Sequence, residues 1–313
     1  MPTEVISTIG ATSSPITPDY SSIQAWEDDI PSDLTTADEI HIGECLDQGN
    51  LDVISIDGQT TDSTRYIVLR CATGASFKDK TGVRDGKLNY DDTDGVKCES
   101  ASPHVIGTPY TKLEGLKICR TAYISYCFHA GGRIHNQDIN QCIIKGGVGH
   151  LGGPSNNSFP DNNSVIRNSL VYHPDSFVGI GGDGSIINCT VRGAIGSAYG
   201  LAYVRNCLVF GSSASQGFSV GETYTGSDYN ATDQSDGSTG SNNLLSLNMS
   251  NEIESTTDDF RPKITGSLKA GIVDAATAVD ITGFTRSSNP YIGCFELEEL
   301  GGTHVYRTLL GVG

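Results

Sequence analysis

The chain has 313 residues, with 37 Asp+Glu against 20 Lys+Arg and a formal net charge of −17. That length can bury a sizeable core in one elongated domain or two compact ones, and the acidic balance disfavours nucleic acid and anionic membrane as partners. With 38 Gly, 2 Met and 1 Trp, and with short apolar runs set between Gly, Asn, Ser and Asp clusters, the sequence reads as β rather than α.

The opening MPTEVISTIGATSS has neither a basic n-region nor an apolar h-region, so a secretory signal peptide is not expected. No apolar run reaches the ~18 residues of a membrane span. Nine cysteines (Cys45, Cys71, Cys98, Cys119, Cys127, Cys142, Cys189, Cys207 and Cys294) include no CxxC pair and no zinc-like Cys/His spacing. An odd count without a leader predicts reduced thiols made in a cytosol and packed as small hydrophobes. No metal and no cofactor is expected.

Residues 1–40 read as an N-terminal cap. In YSSIQAWEDDI (20–30), Ile23, Trp26 and Ile30 form one helical stripe, with Asp19, Ser21 and Ser22 as candidate N-caps and Pro31 as the stop. Between 40 and 120 come strand-like runs at 39–42, 53–56, 66–71 and 113–118, divided by turns such as Asp57-Gly58.

The clearest signal follows. Residues 139–144, 166–171, 186–191 and 204–209 share the pattern apolar, any, Asn/Gln, Cys/Ser, any, Val/Ile, and 113–118 fits it loosely. From Gln141 to Asn168, Asn188 and Asn206 the spacings are 27, 20 and 18 residues, which means one supersecondary unit stacking on the next. Inward residues of a flat strand keep one parity, and here the parity flips at the Asn. A corner at that residue explains the flip, because Asn tolerates the left-handed conformation. Asn168, Asn188 and Asn206 are thus expected to stack as a hydrogen-bonded ladder, and Cys142, Ser169, Cys189 and Cys207 as an interior ladder of small side chains. The fold class is an all-β, single-stranded, right-handed parallel β-helix: cap 1–40, coil 41–243 with insertions at 146–163 and 211–243, and closing segment 244–313.

Outward positions decide what the coil offers. Ile143, Leu170, Thr190 and Leu208 form an apolar outward stripe that needs a cover, either the C-terminal segment or another subunit; the second choice makes them a trimer interface. The outward residues Asn140, Arg167, Ile187 and Arg205 include no acid, which counts against a glycosidase pair on that face. Acidic clusters at Asp91-Asp92 with Asp94, at Asp228, Asp233 and Asp236, and at Asp258-Asp259 lack a complete ligand spacing. His173-Pro174-Asp175 reads as a Pro-fixed turn, and the glycine-rich run 179–184 has no following Lys and is no phosphate loop. Tyr199, Tyr203, Tyr224 and Tyr229, near the second insertion, are candidate glycan contacts. No catalytic residue is assigned.

Residues 20–27 (YSSIQAWE), 57–62 (DGQTTD) and 230–233 (NATD) resemble right-handed β-helix repeat proteins encoded by tailed bacteriophages, over some four-fifths of the chain. Asp259-Phe260-Arg261, Asp280-Ile281-Thr282-Gly283 and 292–296 (IGCFE) are similar to the closing segment of many β-helix proteins, with Cys294 in place of the usual small residue. The resemblance implies fold and a phage origin but no reaction. The expectation drawn from it is a non-enzymatic virion surface protein: a capsid decoration protein, head fibre or spike, homotrimeric and in contact with the major capsid protein. The alternatives are a tailspike-like polysaccharide depolymerase acting on host capsule or lipopolysaccharide, and a glycan-binding adhesin without turnover.

Overall fold

In the computed structural model, the described residues are 1–10, 16–80, 86–91, 93–122, 127–130, 136–151, 163–172, 178–182, 184–196, 203–211, 218, 227–235, 240, 242–272, 278–297, 299–300 and 303–304. Strands between residues 3 and 232 pair in parallel with the strands one turn before and after, which is the signature of a coil. In chain-order numbering the first sheet runs β1 (Thr3–Ile9), β2 (Glu39–Cys45), β4 (Ile67–Cys71), β7 (Thr111–Glu114), β10 (Asp138–Asn140), β13 (Val165–Arg167), β16 (Ser185–Ile187) and β19 (Tyr203–Arg205). The second runs β5 (Lys97–Ser100), β8 (Lys117–Arg120), β11 (Ile143–Lys145), β14 (Leu170–Tyr172), β17 (Thr190–Arg192), β20 (Leu208–Phe210) and β21 (Ala231–Thr232). The third runs β3 (Ser55–Ile56), β6 (His104–Ile106), β9 (Phe128–Ala130), β12 (Val148–Leu151), β15 (Val178–Gly182) and β18 (Ala194–Gly196). The chain is a right-handed parallel β-helix.

The sequence pattern explains the stacking. Leu69, Leu113, Ile139, Ile166, Ile186 and Val204 are successive register partners, and all are buried. Each three-residue strand contributes one such inward side chain, so the core is a column of aliphatics. Between first-sheet and second-sheet strands the chain turns through a left-handed residue: Gly115 (φ 73°), Gln141 (52°), Asn168 (48°), Asn188 (52°) and Asn206 (57°). The amides bond along the axis, from Asn206 Nδ2 to Asn188 Oδ1 (2.6 Å), Asn188 Nδ2 to Asn168 Oδ1 (3.3 Å) and Asn168 Nδ2 to Asn140 Oδ1 (3.1 Å). Cys142, Ser169, Cys189 and Cys207 lie one residue past each corner and are 0% exposed.

The N-terminal end differs from the expected cap. β1 is itself a coil strand, paired with β2 over seven residues, so the coil begins at Thr3 rather than at 41. The helical stripe is split into α1 (Ile23–Glu27), capped by Ser22, and α2 (Leu34–Ala37), capped by Asp33. Trp26 is 1% exposed and plugs the end of the coil; a Cβ on Gly43 would sit 3.0 Å from its ring. That close approach is why a strand residue there is Gly.

The other end carries α3 (Met249–Glu252) and an antiparallel hairpin of β22 (Ile253–Ser255) and β23 (Asp259–Pro262). With residues up to 297 it forms a second core on the outside of the second sheet, where Phe260, Leu268, Ile281, Ile292 and Phe295 meet Tyr172, Phe210 and the outward stripe. Ile143, Leu170, Thr190 and Leu208 are at most 2% exposed. The trimer interface expected on these four residues is therefore corrected: the chain's own tail covers them, and Cys294 N donates to Thr190 Oγ1 at 3.1 Å.

Candidate functional site

The tail occupies the outside of the second sheet, but the outside of the first sheet keeps a polar row. The register places Glu44, Arg70, Glu114, Asn140, Arg167, Ile187 and Arg205 side by side, one per turn. All seven side chains are half-buried. Strand parity gives the reason: Gly43, Leu69 and Leu113 point inward, so the residue after each points out.

Two turns behind Asn140 the row carries what the later turns lack. Glu44 and Glu114 flank Arg70 on either side, their backbones two strand spacings apart, about 9.5 Å. Arg70 donates from Nε (3.1 Å) and Nη2 (2.7 Å) to Glu44 Oε1. The segment after β4 rises beside them as a wall. Its short 3₁₀ turn, Phe77–Asp79, is capped by Ser76 and anchored by Phe77, which is 0% exposed. Together they enclose a cleft of about 330 Å³ lined by Glu44, Arg70, Glu114, Cys71, Lys78 and Asp79, with Ala72 and Thr73.

The chemistry of this lining is set by charge. Three carboxylates and two cations face one small volume. Lys78 Nζ donates to Gln141 Oε1 at 3.1 Å, and Asp79 Oδ2 accepts from Gly74 N at 3.0 Å. Cys71 donates its thiol proton to Gly115 O, and burial pushes the thiol well above its ordinary value, so it stays protonated and is no nucleophile. Among the described residues no group of three or more His, Cys, Asp or Glu is placed to hold a metal ion. The lining offers proton transfer and hydrogen bonding by carboxylates, oriented by a guanidinium.

Four acids of the clusters singled out in the sequence are spent on structure. Asp91 pairs with Lys145 (2.8 Å), Asp258 with Lys87 (2.6 Å) and Asp259 with Arg261 (2.7 Å), and Asp228 accepts from Asn242 N and Nδ2. Asp92, Asp236 and 173–175 lie outside the described residues, as do most of the insertions 146–163 and 211–243 and the candidate glycan contacts Tyr199 and Tyr224. Tyr203 sits on the first-sheet exterior and accepts from Arg205 Nη1 at 3.1 Å; Tyr229 takes a corner at φ 56°. All nine cysteines are free thiols, buried except for Cys71.

A second polar cluster lies under residues 86–94. Lys117, 0% exposed, donates to Thr93 O and sits 4.8 Å from the Tyr90 ring centroid. Desolvation, and then Lys97 beside it, bring this ammonium down to about 8. Lys117 and Tyr90 are both closed over, at 0% and 2% exposed.

No family model matches the chain, and no curated protein matches it. Similar solved structures include the pectin methylesterase from Aspergillus niger in its deglycosylated form, with a TM-score of 0.42 and 12% identity over 77% of this chain and 84% of that one. The same enzyme in a penultimately deglycosylated form gives 0.41, with the same identity and coverage. At this distance the likeness carries no reaction or residue role across. The expected non-enzymatic virion surface protein is nevertheless corrected here. The carboxylate pair held to be missing, one of the observations behind that expectation, stands on the first sheet at Glu44 and Glu114.

Proposed function

We propose that the cleft processes polysaccharide by hydrolysis, in the manner of a depolymerase. The observation that carries this reading is the pair Glu44 and Glu114 at the mouth of one cleft, two turns apart on a rigid sheet. Hydrolysis with inversion uses two carboxyl groups roughly 6.5–9.5 Å apart, one on each side of the scissile bond; the backbones that carry Glu44 and Glu114 are about 9.5 Å apart, with Arg70 between them. Glu44, oriented by both Arg70 donors, takes a proton from the attacking water. Glu114 gives its proton to the glycosidic oxygen as the carbon–oxygen bond breaks. Strands hold such a pair better than loops do, because neighbouring turns fix the backbone. Host-surface glycan is the substrate class supplied by the phage resemblance.

Release of new reducing ends from a panel of bacterial capsular and lipopolysaccharide glycans tests it. The parent protein releases them, while Glu114→Gln and Glu44→Gln each lower kcat/KM by about 10²–10⁴. Binding with no product from the parent would instead favour a glycan-binding adhesin. Unchanged turnover in both variants would remove the pair from the reaction.

A further inference from the structure

The groups that line the cleft divide into those already bonded and those left over. Arg70 gives Nε and Nη2 to Glu44 Oε1 at 3.1 and 2.7 Å. Lys78 is drawn aside to the corner at Gln141, where its Nζ donates to Gln141 Oε1 at 3.1 Å, and Gln141 Nε2 donates in turn to Asp280 O at 2.8 Å. Cys71 gives its thiol proton to Gly115 O. The other two acids are less engaged. Among the described residues Glu114 makes no hydrogen bond or ion pair, and Asp79 uses only Oδ2, which accepts from Gly74 N at 3.0 Å. The wall fixes the place of Asp79, because Lys78 on one side is tied to Gln141 and Lys80 on the other pairs with Asp47 at 3.1 Å. Glu44 and Arg70 cancel in charge, while Glu114 and Asp79 outweigh Lys78. The cleft is therefore negative, on a chain of net charge −17.

From this division we infer that the substrate of the cleft is a cationic glycan, a hexosamine polymer with free amino groups, and that Asp79 is the specificity-determining residue that takes the ammonium. This rests on the glycan-processing reading of the cleft. Acceptors left without donors call for a ligand rich in donors. An ammonium supplies three of them, with a charge opposite to that of the cleft. A sugar carboxylate in the same place would face Asp79 and Glu114 together, like charge against like charge. An N-acetylated sugar sets a neutral amide there, so the Asp79 carboxylate would lose water without gaining a counter-charge. The negative field of the whole chain also draws a polycation to the cleft from solution. Asp79 stands on the wall and not on the row, so the ammonium binds beside the reacting carboxyls and leaves Glu114 to the glycosidic oxygen.

Calorimetric titration with hexasaccharides of glucosamine, N-acetylglucosamine and glucose, alike in linkage, tests the inference in mildly acidic buffer, where the sugar amines are protonated. The glucosamine hexamer binds about tenfold more tightly than the other two, and Asp79→Asn removes that advantage by raising its dissociation constant about tenfold, the loss of one charge-assisted contact. Asp79→Glu recovers most of it. Asp94→Asn takes the same charge from an exposed acid outside the cleft and leaves the constant within about twofold, since salt screens so remote a charge. Equal binding of the three hexamers or no binding of the glucosamine hexamer overturns the inference. So does an unchanged constant in Asp79→Asn, or an equal loss in Asp94→Asn. The two readings fail separately. Amine-selective binding by a parent that releases no reducing ends sinks the hydrolase reading alone, and reducing ends released equally from all three hexamers sink this one alone.

Discussion

At the scale of single residues, the corner asparagines show how one side chain does two jobs. Asn188 adopts φ 52°, a conformation costly for most L-residues, and its amide bonds to the turns on either side. Asn188→Ala therefore loses two hydrogen bonds and adds backbone strain, about 3 kcal/mol together by denaturant unfolding. Asn188→Gly relieves the strain and costs about half as much. Equal losses for the two variants would deny the left-handed corner its part. The ladder was legible in the sequence because Asn recurs at a fixed place in the repeat and few residues accept that conformation. Glu44, Arg70 and Glu114 were not legible as a group. They are separated by 26 and 44 residues, and the wall segment between β4 and β5 breaks the period that would have aligned them. The available signal was that Glu114 takes the place of Asn140 in the repeat.

Titration at the residue scale gives a second expectation. Burial pushes the thiols of Cys119 to about 11 and of Cys142 and Cys294 to about 12. Unfolded cysteines ionise near 8.5, so above that pH the folded state binds the extra protons and stability falls as pH rises. Lys117 works in the opposite sense. Its ammonium is brought down to about 8 by burial, while an unfolded lysine keeps its proton to about 10.4. Between those values the unfolded state binds the extra proton, so Lys117 makes the fold more stable as pH rises. Denaturant midpoints from pH 7 to 10.5 should decline in the parent and decline more steeply in Lys117→Met. Parallel curves would show that Lys117 keeps an ordinary lysine titration.

At the scale of elements, the tail and the second sheet are one unit. Gly293 has φ 107°, and a Cβ there would come within 2.7 Å of Thr190 Oγ1. Gly293→Ala is expected to cost about 2 kcal/mol, read as a lowered thermal midpoint. Behind it, Arg286 donates to Tyr291 O and Gly293 O, while Glu296 accepts from Ser287 and from Tyr291 N. This buried polar network explains the IGCFE segment as a structural closure: Glu296 and Arg286 fix the turn that lays Ile292 and Phe295 on the sheet. Leu170→Asp buries a carboxylate under that cover and should lower stability by on the order of 4 kcal/mol or more, with the tail becoming protease-sensitive. Loss of oligomer mass with the tail still protected would mean that another subunit, rather than the tail, covers the stripe. The sequence left that choice open because an outward apolar stripe records only the need for a cover. The partner in this case lies as far as a hundred residues downstream, in a segment with no repeat.

At the scale of the whole molecule, the coil is a ruler. Its turns set outward side chains at a constant spacing, and the register decides which of them share a face. Fold class followed from periodicity at 139–209, where each turn repeats the same small set of residues. The first turns do not show that period because insertions stretch them: 29 residues containing two helices separate β1 from β2, so the sequence around β1 reads as cap. Function was the least legible, because a reaction depends on which outward residues fall two turns apart, and that follows from register and not from the spacing of residues along the chain. The most direct test is the configuration of the first product, followed by proton NMR as a polysaccharide is cleaved. Carboxylates two turns apart predict that the new reducing end appears with inverted anomeric configuration. A product formed with retention, or no product from any glycan that binds, would contradict the account.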